Sequence, residues 1–301
     1  MPRTVTVGVD GSPESLAAAD WAAREAELWS RPVRLVHAGS WQPFGATAGG
    51  GGARAADPEA EAARRRWTQK VLRETAERLT THRPGLRVSF EQVREVPAPA
   101  LLEAASRGCP LVLGSRTVES ADGHEDVWTV GPVALTVVAR ARGPVVLVRV
   151  GTSPEDERAD GAVGPSWAGA WHRDVVLGLD PARAAAGAVA FAFGEAARRR
   201  ARLKVVHAWR RPPGVGPEQD RALDEEARRA LREALAPWRE RHPAVRVTAR
   251  TGFGTVAARL VDEAAEAALL VVGRGGAAGR IGGVTRTVLR HCAVPVAVVP
   301  R

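Results

Sequence analysis

Two aspartates stand directly after short apolar runs: Asp10 follows Val7-Gly8-Val9, and Asp180 follows Leu177-Gly178-Leu179. Two histidines sit in further apolar runs, each followed by alanine, as His37-Ala38 and His207-Ala208. Glycines form the third group: Gly114 after Leu111-Val112-Leu113, and Gly273, Gly276, Gly282 and Gly283 after Val271-Val272. An aspartate at a strand end either meets a ligand or closes its own turn as an Asx cap. A histidine inside an apolar run is expected as a satisfied core group. The last glycines are the most suggestive. Gly282, Gly283 and Val284 open a helix, so their backbone amides are placed to face an anion. Arg274, Arg280 and Arg286 surround them.

Residues for turnover are harder to find. The chain has no Gly-Lys-Ser/Thr phosphate loop, no placed general base, and no His-Asp partners spaced to serve Cys109 or Cys292. Asp122, His124, Glu125 and Asp126 carry metal-binding groups, but crowded into one polar loop they read as a solvated excursion. A binding protein is expected, without catalytic residues and without a metal.

These groups recur in one order, twice. Leu35-Val36-His37-Ala38 returns as Val205-Val206-His207-Ala208, and Gly143-Pro144-Val145-Val146 as Val294-Pro295-Val296-Ala297. Four ordered matches in 301 residues mean a duplicated domain. The predicted strands of the first copy are 4–9, 33–38, 86–92, 111–114 and 144–150, with helices over 12–29, 57–81, 97–106 and 133–141. Ser12 caps the first helix and Pro13 suits its first turn. The second copy has strands 174–179, 203–208, 245–250, 269–273 and 294–299, with helices over 182–200, 218–241, 255–267 and 284–292. Alternating elements with continuously apolar strands predict an α/β fold. It consists of two tandem doubly wound, Rossmann-like domains, each a five-stranded parallel sheet with helices on both faces. The boundaries are 1–150, a Gly/Pro/Ser/acid-rich linker over 151–172, and 173–301. The first copy carries 11 extra residues after strand two, since His37 and His207 differ by 170 and Gly114 and Gly273 by 159; the four glycines at 49–52 account for them most simply.

In such sheets ligands bind beyond the carboxyl ends of the strands. The copies differ there. From 115 to 131 the loop has one arginine, Arg116, against Glu119, Asp122, Glu125 and Asp126, whereas 274–286 holds three arginines and no carboxylate. Trp41 and Trp209 both follow strand two and are expected to pack over the sheet.

The net charge of +9 raises the question of nucleic acid. The arginines are interspersed with glutamates on the long helices, and no recognition motif accompanies them, so no nucleic-acid partner is expected. Two cysteines form no disulfide framework, and neither a signal peptide nor an apolar stretch long enough for a membrane helix is found. A cytoplasmic protein without a membrane partner is expected.

Over nearly its whole length the chain resembles the universal stress protein family in its tandem form. The resemblance rests on Val9-Asp10-Gly11-Ser12, Val36-His37-Ala38, residues 81–88 with their counterpart 241–247, Val271-Val272-Gly273-Arg274-Gly275-Gly276, and Val288-Leu289-Arg290-His291 leading into Pro295-Val296. It implies ATP at the crevice. The strand-one aspartate (Asp10 or Asp180), the backbone after the strand-two histidine (Ala38 or Ala208) and a Gly-x2-Gly-x9-Gly-(Ser/Thr) loop would hold it. In the second copy Gly273, Gly276, Gly282, Gly283 and Val284 match that loop, but five residues replace nine and Gly283 takes the hydroxyl position. In the first copy Gly114 is kept, Thr117 replaces the second glycine, and Pro132 has no amide to give. The second copy is therefore the expected nucleotide site. The resemblance also implies that the two strand-five edges pair, making an intramolecular pseudo-dimer that leaves room for further self-association. A scaffold without nucleotide, or a weak nucleotide hydrolase, are the alternatives.

Overall fold

A computed structural model describes residues 4–39, 58–106, 110–117, 128–151, 172–183, 185–209, 216–276 and 279–300. The glycine run, Trp41, Cys109, the acidic loop at 118–127 and the interior of the linker lie outside them.

The first half runs β1 (Val5–Gly8), α1 (Pro13–Leu28), β2 (Val33–Ala38), α2 (Pro58–His82), β3 (Val88–Val93), α3 (Pro97–Ser106), β4 (Leu111–Thr117), β5 (Trp128–Thr129), α4 (Pro132–Arg140) and β6 (Val145–Arg149). The second half runs β7 (Val175–Gly178), a 3-10 turn (Pro181–Arg183), α5 (Ala186–Arg199), β8 (Leu203–Trp209), α6 (Pro217–Arg241), β9 (Val247–Phe253), α7 (Val256–Ala264), β10 (Leu269–Gly273), α8 (Gly283–His291) and β11 (Val296–Val299). Ser12 caps α1 as expected, its side chain accepting from the Ser15 amide, with Pro13 in the first turn. The expected helix over 182–200 begins only at Ala186, because the 3-10 turn precedes it and Ala185 offers no side-chain cap. One element was not anticipated. The two-residue β5 pairs antiparallel with the end of β4, Arg116 against Thr129 and Thr117 against Trp128. So short a ladder has no hydrophobic period of its own.

The strands form one sheet in the order β3-β2-β1-β4-β6-β11-β10-β7-β8-β9, with β5 off this path. Within each half the neighbours are parallel. The halves meet where β6 pairs antiparallel with β11, Leu147 opposite Val296 and Val145 opposite Val298. That pairing covers both apolar strand-five edges, which would otherwise template aggregation. It also points the carboxyl ends of the two half-sheets in opposite directions.

Strand side chains alternate between two cores, each running across both halves. Val5, Val7, Val146, Val148, Leu177, Val271 and Ala297 face α1, α2, α5 and α6. Val36, Leu111, Leu147, Val176, Leu270 and Val298 face α3, α4, α7 and α8. The period of two along each strand makes this division. The apolar face of α1 is built mostly of small residues, with Ala18, Ala19, Ala22 and Ala26 fully buried, so the helix lies close on the sheet.

Polar contacts also bridge the halves. Arg199 of α5 pairs with Glu25 of α1 and with Glu195 of its own helix, and all three are buried. Glu25 and Glu195 occupy equivalent places, each 170 residues from the other like the two strand-two histidines, so one arginine is clasped by a symmetric pair. Beside it the Arg198 guanidinium lies 3.9 Å from the Trp29 ring centroid. On the opposite face Arg149 donates to the Leu289 carbonyl at 2.8 Å, and Arg274 donates to the Ala141 carbonyl at 2.9 Å. Each half thus sets a cation on the carboxyl-terminal end of the other half's helix, α8 or α4, where the macrodipole favours it. Burial pulls the Arg149 guanidinium down to about 9.

Candidate functional site

In the first half β1 delivers Asp10 to a turn that it closes itself. Asp10 Oδ1 accepts from the Ser12 amide at 3.0 Å and from Ser12 Oγ at 2.5 Å. Ser12 Oγ accepts from the Ser15 amide at 3.2 Å, Ser15 Oγ donates to the Ser12 carbonyl at 2.9 Å, and the Asp10 amide donates to Ser15 Oγ at 3.3 Å. Asp10 therefore acts as an Asx cap. His37 donates from Nδ1 to the Val9 carbonyl at 2.8 Å, tying β2 to the end of β1. Its imidazole is held below the usual value, first by burial, with the Val9 bond and the Asp10 charge opposing.

Two residues that the sequence reading passed over then cover this crevice. Trp67 of α2 lies over the strand-one turn, its ring 6.4 Å from His37 and edge-on to it. A methyl group added to Gly11, whose φ is +84°, would come within 2.7 Å of the Trp67 ring. Glu14, in the first turn of α1, sits against Gly114, where an added Cβ would come within 2.5 Å of the Glu14 carbonyl carbon. One Glu14 carboxylate oxygen, Oε2, is buried without a hydrogen-bond partner. The close crossing of α1 accounts for the glycine at 114 without a ligand. Ala38, the last residue of β2, pairs in register with Val93.

The second half has the same parts in a different state. Asp180 Oδ1 accepts from the Ala182 amide at 3.1 Å; like Asp10 it is exposed, but it has no serine equivalent to Ser12 in its turn. His207 donates from Nδ1 to the Leu179 carbonyl at 3.0 Å, matching His37. Both histidines thus tie strand two to strand one through Nδ1, but the expectation of satisfied core groups holds only in part: His37 Nε2 is buried without a hydrogen-bond partner, and His207 is half-buried. Trp209 stacks on His207 with centroids 5.3 Å apart and meets Phe253 edge-on at 5.1 Å. Ala208 is buried in register with Gly252. Counting α2 from Pro58 and α6 from Pro217, the place of Trp67 is taken by Glu226. The nearest atom to an added Cβ on Gly273 is the Ala185 methyl at 4.0 Å. The late start of α5 leaves this glycine open where Gly114 is closed.

The loop after β10 folds onto itself. The Arg274 carbonyl accepts from the amides of both Gly276 and Gly282, at 3.0 and 2.9 Å. A Cβ on Gly276 would overlap the Arg280 carbonyl oxygen, and one on Gly282 would come within 3.1 Å of the Gly275 backbone. Two expectations are corrected here. Gly282 has no amide to offer an anion, because the shortened loop uses it to close. Arg274 does not flank an anion, because its guanidinium reaches Ala141 in the first half. Gly283 and Val284 remain as the first residues of α8, in the turn whose amides lack intrahelical acceptors. Thr285 Oγ1 fastens that turn to β10 by donating to the Gly273 carbonyl at 2.8 Å.

The structure therefore gathers Asp180, Ala208, Gly273, Gly283 and Val284 at the carboxyl ends of β7, β8 and β10, and Asp10, Ala38 and Gly114 at those of β1, β2 and β4. Among the described residues no group of three or more His, Cys, Asp or Glu side chains is placed to hold a metal ion, and no helix is long and apolar enough to cross a membrane. Asp122, His124, Glu125 and Asp126 lie outside the described residues.

Comparison with known proteins bears on the family and the fold. The Universal stress protein family matches residues 1–149 and again 172–300. A universal stress protein of Mycolicibacterium smegmatis (strain ATCC 700084 / mc(2)155) is 34% identical over 304 residues, covering 98% of this chain and 96% of that protein. One from Mycobacterium tuberculosis (strain ATCC 25618 / H37Rv) is 34% identical over 309 residues, with the same shares covered. A crystal structure of a universal stress protein from Archaeoglobus fulgidus DSM 4304 superposes with a TM-score of 0.69 at 16% identity, covering 99% of this chain and 98% of that one. With both halves matched and full-length relatives at this identity, the chain belongs to the universal stress protein family, in its tandem form.

Proposed function

We infer that this protein is a stress-response binding module whose second half takes an adenine nucleotide, ATP, while the first half is a closed structural copy. In this reading 1–150 and 173–301 are the two domains, 151–172 joins them, and the β6–β11 pairing makes one chain a pseudo-dimer. Asp180 and the Ala208 backbone face the nucleoside, and the first turn of α8 faces the phosphates through the Gly283 and Val284 amides. The observation that carries the reading is the contrast between the two strand-four glycines. The backbone of α1 stands 2.5 Å from where a Gly114 side chain would begin, and nothing stands nearer than 4.0 Å at Gly273. Charge adds only a general bias toward the same half: 274–286 carries no carboxylate, but Arg274 reaches Ala141 and Arg280 and Arg286 line the junction between the halves rather than this crevice.

Titration calorimetry of the whole chain with ATP tests this. One site per chain is expected. Gly283→Pro should remove it without unfolding α8, because Pro132 already occupies the same helix position in α4. Asp10→Asn should leave it unchanged. Loss of binding in Asp10→Asn with retention in Gly283→Pro would assign the nucleotide to the first half and overturn the reading. One observation favours a second reading, a scaffold that binds no nucleotide: the shortened loop spends the Gly282 amide on its own closure. Absence of any ATP heat in the whole chain would select it.

A further inference from the structure

A cavity of about 620 Å³ lies in neither crevice but at the junction of the halves, between α4 and α8. Its lining includes Leu135, Ala139 and Arg140 from α4, and Arg286, Leu289 and Arg290 from α8. Val130, Thr136 of α4 and the segment Gly279-Arg280-Ile281 complete it, whereas Asp180, Gly273 and Gly283 are not part of it. The volume is that of a small-molecule site.

The two walls differ in chemistry because the duplicated helices have diverged. Counting from the N-cap glycines, Gly131 for α4 and Gly282 for α8, Leu135 and Arg286 are both fourth residues, and Ala139 and Arg290 are both eighth. The same stripe is thus aliphatic on α4 and cationic on α8. Leu135 is 36% exposed although it is a large apolar side chain. Arg140 and Arg280 bring the guanidinium count along the cavity to four.

Several arginines elsewhere in the chain have carboxylate partners that these four lack; others, such as Arg66 and Arg232, stand singly on exposed helix faces rather than around a cavity. On the long helices Arg65 pairs with Glu61 at 3.5 Å and Arg228 with Asp224 at 2.6 Å, and Arg259 of α7 pairs with Glu263 at 3.7 Å. Neither α4 nor α8 contains an acidic residue. Among the described residues, none of the Arg140, Arg280, Arg286 and Arg290 guanidinium groups has a hydrogen-bond or ion-pair partner. Four like charges around one cavity repel each other unless an anion joins them. Guanidinium forks suit phosphate or carboxylate. The opposite wall offers the aliphatic Leu135 and Ala139 beside Thr136 and Arg140, and among the described lining residues there is no aromatic face on which a base would stack.

We propose that this junction groove binds a single-chain anionic amphiphile: an alkyl or acyl chain lies along Leu135, Ala139 and Leu289, and its phosphate or carboxylate head is held by the arginines. The ligand would bridge the two halves and report on their alignment, separately from any nucleotide in the crevice.

Calorimetric titration of the whole chain with decyl phosphate below its micelle concentration tests this, with inorganic phosphate and decanol as single-feature controls. Saturable one-to-one binding is expected, with each control at least about tenfold weaker, as befits losing either the charge-assisted bonds or the buried chain. Arg140→Gln/Arg290→Gln should weaken it by about tenfold or more, and Leu135→Glu should do the same by charge alone. All these side chains are solvent-facing, and an unchanged melting temperature shows that the variants fold. No saturable binding, binding unaffected in both variants, or competitive displacement by ATP would overturn the proposal. So would co-sedimentation with phosphatidylglycerol vesicles that Arg140→Gln/Arg290→Gln removes, without binding of the monomeric ligand. Absence of ATP binding bears only on the crevice, because decyl phosphate is measured without nucleotide.

Discussion

His37 and His207 show how a polar group is tolerated inside a sheet. Each gives its Nδ1 proton to a strand-one carbonyl, which fixes the tautomer and ties two strands together. For His37 burial outweighs the favourable contacts and lowers the pKa below 6.5. The unfolded chain then takes up a proton near 6.5 that the folded chain resists. The stabilisation is full above that pH and is lost as pH falls through the folded value. Melting temperatures at about pH 7.5 and about pH 5 should therefore fall further apart in the native chain than in His37→Asn, whose amide can keep the Val9 bond without titrating. Cys292 behaves in the opposite sense. Burial raises its thiol to about 11, so at neutral pH on the order of one molecule in ten thousand carries the thiolate. Peptide mapping after iodoacetamide treatment should find Cys292 unmodified in the native chain and labelled once the chain is denatured.

At the scale of elements, the loop between β10 and α8 depends on backbone packed against backbone. Gly276→Ala drives a methyl group into the Arg280 carbonyl. It should lower stability by about 1–3 kcal/mol in a urea titration. Gly283→Ala has no neighbour within 4 Å and should change it by less than about 0.5 kcal/mol. Equal effects of the two would mean that the loop is not closed in this way. The strands were legible in the sequence because Val-Val-Leu-Gly and Leu-Leu-Val-Val runs leave few alternatives to a buried parallel strand. The start of α5 and the existence of β5 were not. A helix without a capping side chain starts where tertiary contacts place it, and a two-residue ladder forms only by proximity.

Across the whole molecule, the Glu25–Arg199–Glu195 group and the β6–β11 pairing hold the halves in one orientation. Arg199→Met would remove the cation that Glu25 and Glu195 share, leaving Glu195 only its 3.1 Å pair with Arg198, and should cost about 3 kcal/mol. Adding Glu25→Gln and Glu195→Gln should recover most of that, because much of the loss is the burial of unpaired charge rather than the worth of the pair. A urea midpoint for each variant checks both expectations. If the triple variant is no more stable than Arg199→Met, the triad does more than neutralise itself.

By itself the sequence determined the duplication, the succession of strands and helices along the chain, and the cap on α1. These follow from local signals: apolar period, turn residues and the spacing of repeated motifs. Only the tertiary structure decided which strand ends are open. Trp67 and Glu14 close the first crevice from helices that carry no ligand motif, the Gly282 amide and Arg274 turn to contacts inside the fold, and Leu135 meets Arg286 and Arg290 across a junction. The reason is physical. A residue's availability depends on what packs against it from elsewhere in the chain, and for these residues the partner is outside their own motif and, for Arg274 and Leu135, in the other half. One clue was present in the sequence all the same: the duplicated helices differ at these positions, Trp67 against Glu226 and Leu135 against Arg286, and there the surroundings of the two halves differ.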